Sequence, residues 1–342
     1  MQPFIDSAGL LGHPQALRSR LAKDGFLFFR GIIEDGPLIS LRHEIVAACA
    51  GRGWIRPGTN PVDAVAEGLP CIEGEDEYFK VYDDVQRLEA LHALPHHPTV
   101  RAPMVALLGE TAFPHPLAIA RLVFPGGEAE ATPPHQDFPN NQGTEDLLAC
   151  WIPLGPCPVE LGGLIMLRGS HQLGLLPREF AIGAGYRKAV LDSRHSRLDW
   201  IGGDFALGDA VVFHSMTVHR ALPNRTDRLR LSVDYRFQRE GESLTESCLN
   251  PHFGRLSWGE IYQGWAETSL QYYWRTKRFR TVAWDPALLD LAADRLEESM
   301  IAWMAWRRDH PERGFDPMTW FRDPAAGGQA EEGPENAEPD PM

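Results

Sequence analysis

Between Arg228 and Phe237 the sequence RLRLSVDYRF alternates without interruption: Leu229, Leu231, Val233 and Tyr235 fall on one side, and Arg228, Arg230, Ser232, Asp234 and Arg236 on the other. Successive side chains of a strand point to opposite faces, so this is a strand with one apolar and one charged face. An arginine turned into a barrel costs on the order of several kcal/mol unless it is paired. A dicarboxylate is a natural partner, because a guanidinium grips carboxylate with two parallel hydrogen bonds.

The surrounding chain supplies the rest of a β core. From about 113 to 240, short β-type runs alternate with Gly, Pro, Asn and Asp turns. Strands are expected at 117–124, 147–153, 163–168, 210–214 and 228–237, which predicts an antiparallel sandwich or barrel. Residues 14–50 read as helix, short strand and helix, with the strand in Gly25–Gly31 and Pro37 in the first turn of the second helix. Residues 51–85 read as loop, and a helix is expected over about 97–109. A further helix is expected from Asp285-Pro286 to about Arg308, where Leu289, Ala292, Leu296, Met300 and Met304 recur at helical spacing. The Trp/Tyr-rich stretch Tyr262–Trp274 is expected to pack this annex onto the core. The expected organisation is one domain over 1–324, with a core at about 113–240 and a helical annex at 241–324. An acidic tail at 325–342, poor in aromatics, reads as disordered.

Composition narrows the function classes. Ten Trp and sixteen Phe in 342 residues require a packed interior. A net charge of −14 argues against nucleic acid as a partner. No apolar run reaches the roughly 18 residues of a membrane span. The start, MQPFIDSAGLLGHP, lacks a basic segment followed by a long apolar one, so cytoplasmic residence is expected. Cys49, Cys71, Cys150, Cys157 and Cys248 are odd in number and form no CxxC pair, which predicts buried free thiols.

The chemistry is expected at His135-Gln136-Asp137. On a strand the first and third residues share a face, so one imidazole and one carboxylate reach the same ion. A histidine from a distant strand would complete a facial triad of two His and one carboxylate, the arrangement of non-haem Fe(II) oxygenases. His214 and His219 both lie in the right region. The pattern alone is weak, since the composition yields about two His-x-acid matches by chance. The other match, His310-Pro-Glu312, lies in a charged, strandless stretch and reads as no metal site.

Taken in order, these pieces resemble the phytanoyl-CoA dioxygenase family of 2-oxoglutarate oxygenases. The resemblance rests on Pro133-x-His135-Gln136-Asp137, the apolar strand with Trp151, Gly162-Gly163-Leu-Ile-Met-Leu-Arg-Gly169-Ser170-His171, the Gly208-Asp209 turn and His219-x₄-Asn224-x₅-Arg230. The opening Asp24-Gly-Phe-Leu-Phe-Phe-Arg-Gly31 is also similar to the family's entry strand. It implies a mainly β core of α+β type: a double-stranded β-helix (jelly roll, cupin-like) with N-terminal and C-terminal helical additions. Carried over, His135, Asp137 and His219 match the iron ligands. Arg230, not Arg228, matches the arginine that pairs with the distal carboxylate of 2-oxoglutarate. Trp151 matches an aromatic beside the cosubstrate, Gln136 approaches it, and Lys80 matches a cosubstrate lysine upstream of the core. Ala221 departs from the Ser or Thr common two residues after the distal His.

The implied cofactors are Fe(II), 2-oxoglutarate as cosubstrate and O₂. The implied activity is hydroxylation or desaturation of a small organic metabolite, with release of succinate and CO₂. The related halogenases lack the carboxylate that Asp137 provides. Rival readings are a cupin-like metalloenzyme without 2-oxoglutarate and a metal-free jelly-roll ligand-binding module. The substrate is not named by any motif. Arg178, Arg187, Lys188, Arg194 and Arg197 give 172–200 a local basic excess.

Overall fold

The computed structural model describes residues 1–127, 131–181 and 187–288, together with Ile301, Ala305 and Arg308. The helix expected beyond 288, His310-Pro-Glu312 and the expected tail therefore lie almost wholly outside the described residues. In chain order the elements are α1 (Pro14–Asp24), β1 (Phe26–Phe29), α2 (Asp35–Gly51), α3 (Asp76–Gln86), α4 (Glu89–Ala93), α5 (Pro98–Leu108), β2 (Ala112–Val123), α6 (Phe138–Asn141), β3 (Leu148–Pro153), β4 (Leu164–Leu167), β5 (Arg178–Phe180), β6 (Arg187–Ala189), β7 (Trp200–Ile201), β8 (Ala210–His214), β9 (His219–Ala221), β10 (Arg230–Arg239), β11 (Ser243–Thr245), α7 (Trp258–Ile261) and β12 (Arg280–Val282).

Two antiparallel sheets form the core, as the alternation predicts. The larger runs β1-β8-β3-β10-β2 and the smaller β7-β4-β9. Their inner faces meet over Phe26, Phe28, Trp151, Leu164, Met166, Phe205, Val211 and Phe213. The outer face of the large sheet carries Leu27, Phe29, Cys150, Val212, Leu231, Val233 and Tyr235, covered by Leu17, Leu41, Tyr82, Val85 and Met104 of the helices. Strand β10 is buried on both faces, apolar toward the helices and polar toward the other sheet. This architecture is the jelly roll with helical additions expected above.

One element departs from expectation. Residues 76–86, read as loop, form α3, with Tyr78, Val81, Tyr82 and Val85 buried at helical spacing. Polar residues hid a short apolar stripe, and tertiary packing supplies most of the stability of a helix this short. The aromatic stretch packs on the core: Tyr273 donates to Pro114 O (2.8 Å) and Trp265 Nε1 to Arg87 O (3.0 Å), fastening these residues to β2 and the end of α3.

Close backbone approach at Gly162 orders the turn before β4. Its φ is +86°, and a Cβ there would lie 2.4 Å from Leu222 O and 3.0 Å from Asn224 N, both immovable backbone atoms. Gly174 has φ +77° but open space around it. Gly174→Ala is expected to cost about 1–2 kcal/mol, the left-handed penalty alone. Gly162→Ala is expected to cost about 1–3 kcal/mol more, read as the difference in chemical-denaturation midpoints at constant slope.

Candidate metal centre

The segment carrying His135 is no regular strand. It makes a single antiparallel bridge with the first residue of β9: His135 N–H donates to His219 O (2.9 Å) and His219 N–H to His135 O (3.0 Å). The two imidazoles are therefore direct cross-strand neighbours, with ring centroids 4.1 Å apart. Asp137 follows as the residue before α6, its N–H held by Ser215 O at 2.9 Å and its side chain uninvolved in capping. The ligand atoms of His135, Asp137 and His219 lie within 4.8 Å of one another, the one such group among the described residues. Asp137 Oδ1 is 3.6 Å from His135 Nε2 and 3.8 Å from His219 Nε2.

Both imidazoles are oriented from behind. His135 Nδ1 donates to Pro133 O (2.8 Å) and His219 Nδ1 to Thr217 O (2.9 Å), so each Nε2 keeps its lone pair for a cation. Burial pushes His219 down to about 3, with the neighbouring His135 adding to the shift, so it is neutral at ordinary pH. Burial opposes ionisation of Asp137, but Arg236, His219 and His135 outweigh it and hold the carboxyl far below its usual range. Two imidazoles with Nε2 turned to the same point and one ionised carboxylate fit a divalent first-row ion and suit non-haem Fe(II).

His214, the other candidate, stands apart from the group. Its Nδ1 accepts from Met216 N–H (3.1 Å) and its ring lies beside His171. The two arginines that periodicity could not separate diverge. Arg228 precedes β10, is exposed and meets Asp63 at 3.5 Å. Arg230 is 2% exposed, donates to Ser232 Oγ (2.6 Å), and has no hydrogen-bond partner at Nε. Its guanidinium carbon sits 5.9 Å from the Trp151 ring centre.

Two expected cosubstrate contacts are not brought to the triad. Lys80 lies on the exposed side of α3, paired with Glu77, because Tyr78, Phe79, Val81 and Tyr82 claim the buried side. Gln136 points away from the triad. Its amide is consumed structurally: Nε2 donates to Gly174 O (2.9 Å) and Met216 O (2.7 Å), and Oε1 accepts from Leu176 N–H (2.9 Å).

One functional residue was visible in the sequence but given no role. Arg236, 3% exposed, reaches Asp137 Oδ2 at 2.9 Å in an ion pair without hydrogen-bond alignment. Period-two alternation had placed it on the same face as Arg230.

If His135, Asp137 and His219 hold the metal, His219→Ala is expected to weaken Fe(II) or Co(II) binding by more than about 100-fold, beyond the usual cost of losing an outer-shell partner. His214→Ala is expected to leave it unchanged; anaerobic metal titration of both variants decides the assignment.

Known proteins resemble this chain in sequence and fold. The family model for phytanoyl-CoA dioxygenase matches residues 67–232. The 1-deoxypentalenic acid 11-beta-hydroxylase of Streptomyces exfoliatus is 25% identical over 268 residues, covering 73% of this chain and 90% of that protein. The methylphosphonate hydroxylase of Gimesia maris is 30% identical over 144 residues, covering 41% of this chain and 52% of that protein. Among solved structures, the epimerase SnoN in complex with Fe³⁺, alpha ketoglutarate and nogalamycin RO has the same fold, with a TM-score of 0.50 at 20% identity, covering 68% of this chain and 86% of that one. The family match spans the distal half of the helical cover and most of the β core, just under half of the chain, and includes all three residues of the triad: over residues 67–232 the chain is similar to the phytanoyl-CoA dioxygenase family.

Proposed function

We propose that this chain hydroxylates, or desaturates, a small organic metabolite, consuming 2-oxoglutarate and O₂ and releasing succinate and CO₂. In this reading His135, Asp137 and His219 hold Fe(II), and Arg230 grips the distal carboxylate of 2-oxoglutarate. The observation that carries it is Arg230 itself: a wholly buried guanidinium with an unpartnered Nε, on the sheet that faces the one whose edge strand carries His219. Burial, with the neighbouring Arg121 adding to it, drives its pKa downward, so an anion would stabilise the charge there.

The bound metal supplies activation of O₂ at the expense of oxidative decarboxylation of 2-oxoglutarate. The chain's own residues do the placing. Pro133 and Thr217 carbonyls keep both imidazoles in the ligating tautomer. Trp151 and Phe213 wall the interior with apolar surface, and Phe213 lies 4.4 Å from the His219 ring. Ser232 Oγ, beside Arg230, supplies a hydroxyl that Ala221 cannot. The carboxylate of Asp137 favours hydroxylation or desaturation over halogenation.

The substrate is best read as an anionic small molecule. Two relatives are named for acting on 1-deoxypentalenic acid and methylphosphonate. In this chain the basic β5–β6 hairpin adjoins the metal-ligand segment, with Ala189 N–H donating to Pro134 O at 2.7 Å. Cytoplasmic residence accords with five free, buried cysteines, and no described helix is long and apolar enough to cross a membrane.

Removing one partner of a buried guanidinium–carboxylate pair costs about 2–5 kcal/mol. Arg230→Ala is therefore expected to weaken 2-oxoglutarate binding by roughly 30- to several-thousand-fold, at about 1.4 kcal/mol per tenfold. Metal affinity should hold. Arg230→Lys should rescue only in part, and Arg228→Ala should cost little. Titrating 2-oxoglutarate into the metal-loaded variants decides it, and equal affinities throughout would sink the reading.

A further inference from the structure

A line of alternating charge runs through the interior toward the metal centre. Glu73 pairs with Arg121 of β2, and Arg121 Nε donates to Asp234 Oδ2 (3.1 Å). Asp234 Oδ1 lies 3.8 Å from Arg236 Nη1, and Arg236 Nη2 lies 2.9 Å from Asp137 Oδ2. Asp234 and Arg236 share the inward face of β10, both nearly solvent-free. Arg236 is thus held from behind by a carboxylate that is itself held from behind, and cannot swing away without leaving a buried charge unpaired.

The two oxygens of Asp137 are consequently unequal. Oδ1 faces both His Nε2 atoms, while Oδ2 faces the guanidinium. A carboxylate beside a divalent ion can bind through one oxygen or two. The choice matters here because a six-coordinate ion with two imidazoles and a one-oxygen carboxylate keeps three open positions. Those are enough for a chelating 2-oxoacid and O₂. A two-oxygen carboxylate would leave room for the 2-oxoacid alone.

We propose that Arg236 is a positioning residue that reserves Oδ2 of Asp137 and so restricts the metal carboxylate to one-oxygen ligation, keeping open the coordination position that O₂ requires. The proposal rests on the oxygenase reading for its purpose, but the coordination it predicts is measurable without turnover.

The test uses the full chain loaded with Mn(II), whose effect on water-proton relaxation counts the exchangeable waters on the ion. Arg236→Met is expected to remain folded, to bind Mn(II) within about tenfold of wild type, and to show one fewer water than wild type, because Asp137 then closes onto the ion with both oxygens. Arg236→Lys, which keeps a cation near Oδ2, is expected to restore the wild-type count. If Arg236→Met does not fold, Arg236→Gln takes its place in the same measurement. An unchanged water count in the neutral variant overturns the proposal. So does a folded neutral variant that no longer binds Mn(II), since Arg236 would then be needed for ligation itself rather than its denticity. Adding 2-oxoglutarate separates the two claims: it should remove two waters from wild type. If it removes none, the oxygenase reading fails, while the metal-only counts still judge Arg236.

Discussion

The inward face of β10 is the constraint on which the rest of the molecule turns. Arg230, Ser232, Asp234 and Arg236 sit in sequence along a strand buried on both sides. Burying such charges without partners would cost on the order of several kcal/mol each. The structure answers residue by residue: Ser232 accepts from Arg230, Arg121, itself paired with Glu73, closes on Asp234, and Arg236 meets Asp137. The charges from Glu73 through Arg121, Asp234 and Arg236 are therefore one connected set that ends at Asp137, while Arg230 meets only a neutral hydroxyl. The helices on the other side of the sheet have only apolar surface to cover, and this is why cover and site can be built from the same strand.

The metal centre depends on backbone pairing more than on strand propensity. A single bridge between His135 and His219 sets the two imidazoles side by side. Neighbouring carbonyls then fix their tautomers, and Ser215 O anchors Asp137 from the loop after β8. Thr217 links this loop to the α1–β1 corner through its bond to Gly25 O (2.7 Å), where a Cβ on Gly25 would lie 2.5 Å from His171 Nδ1. The helical entry and the metal ligands are thus coupled through close contacts at Gly25 that tolerate little change in shape.

How far the site could be read from the sequence varied with the kind of signal. Alternation in β10 and the HxD spacing are local, and both led to groups that the fold uses. Spacing alone left His214 and His219, and Arg228 and Arg230, as unresolved pairs, and family resemblance favoured the second of each. The structure separates them by burial and partners. Position relative to the family motif marks Lys80 and Gln136 as cosubstrate contacts. Their burial and bonding assign them elsewhere, one to solvent and one to loop stitching.

The sequence by itself determined the antiparallel β core, the helices that precede it, the His135–Asp137 pair and the existence of a charged strand face, because all of these follow from periodicity and short-range spacing. Only the tertiary structure decided which charges meet. Glu73, Arg121, Asp234, Arg236 and Asp137 span more than 160 positions, and their contacts depend on how β2, β10 and the segment before α6 converge. The role of Arg236 was hidden for that reason: the alternation shows that it points inward, and the packed sheets show that it points at one oxygen of one carboxylate.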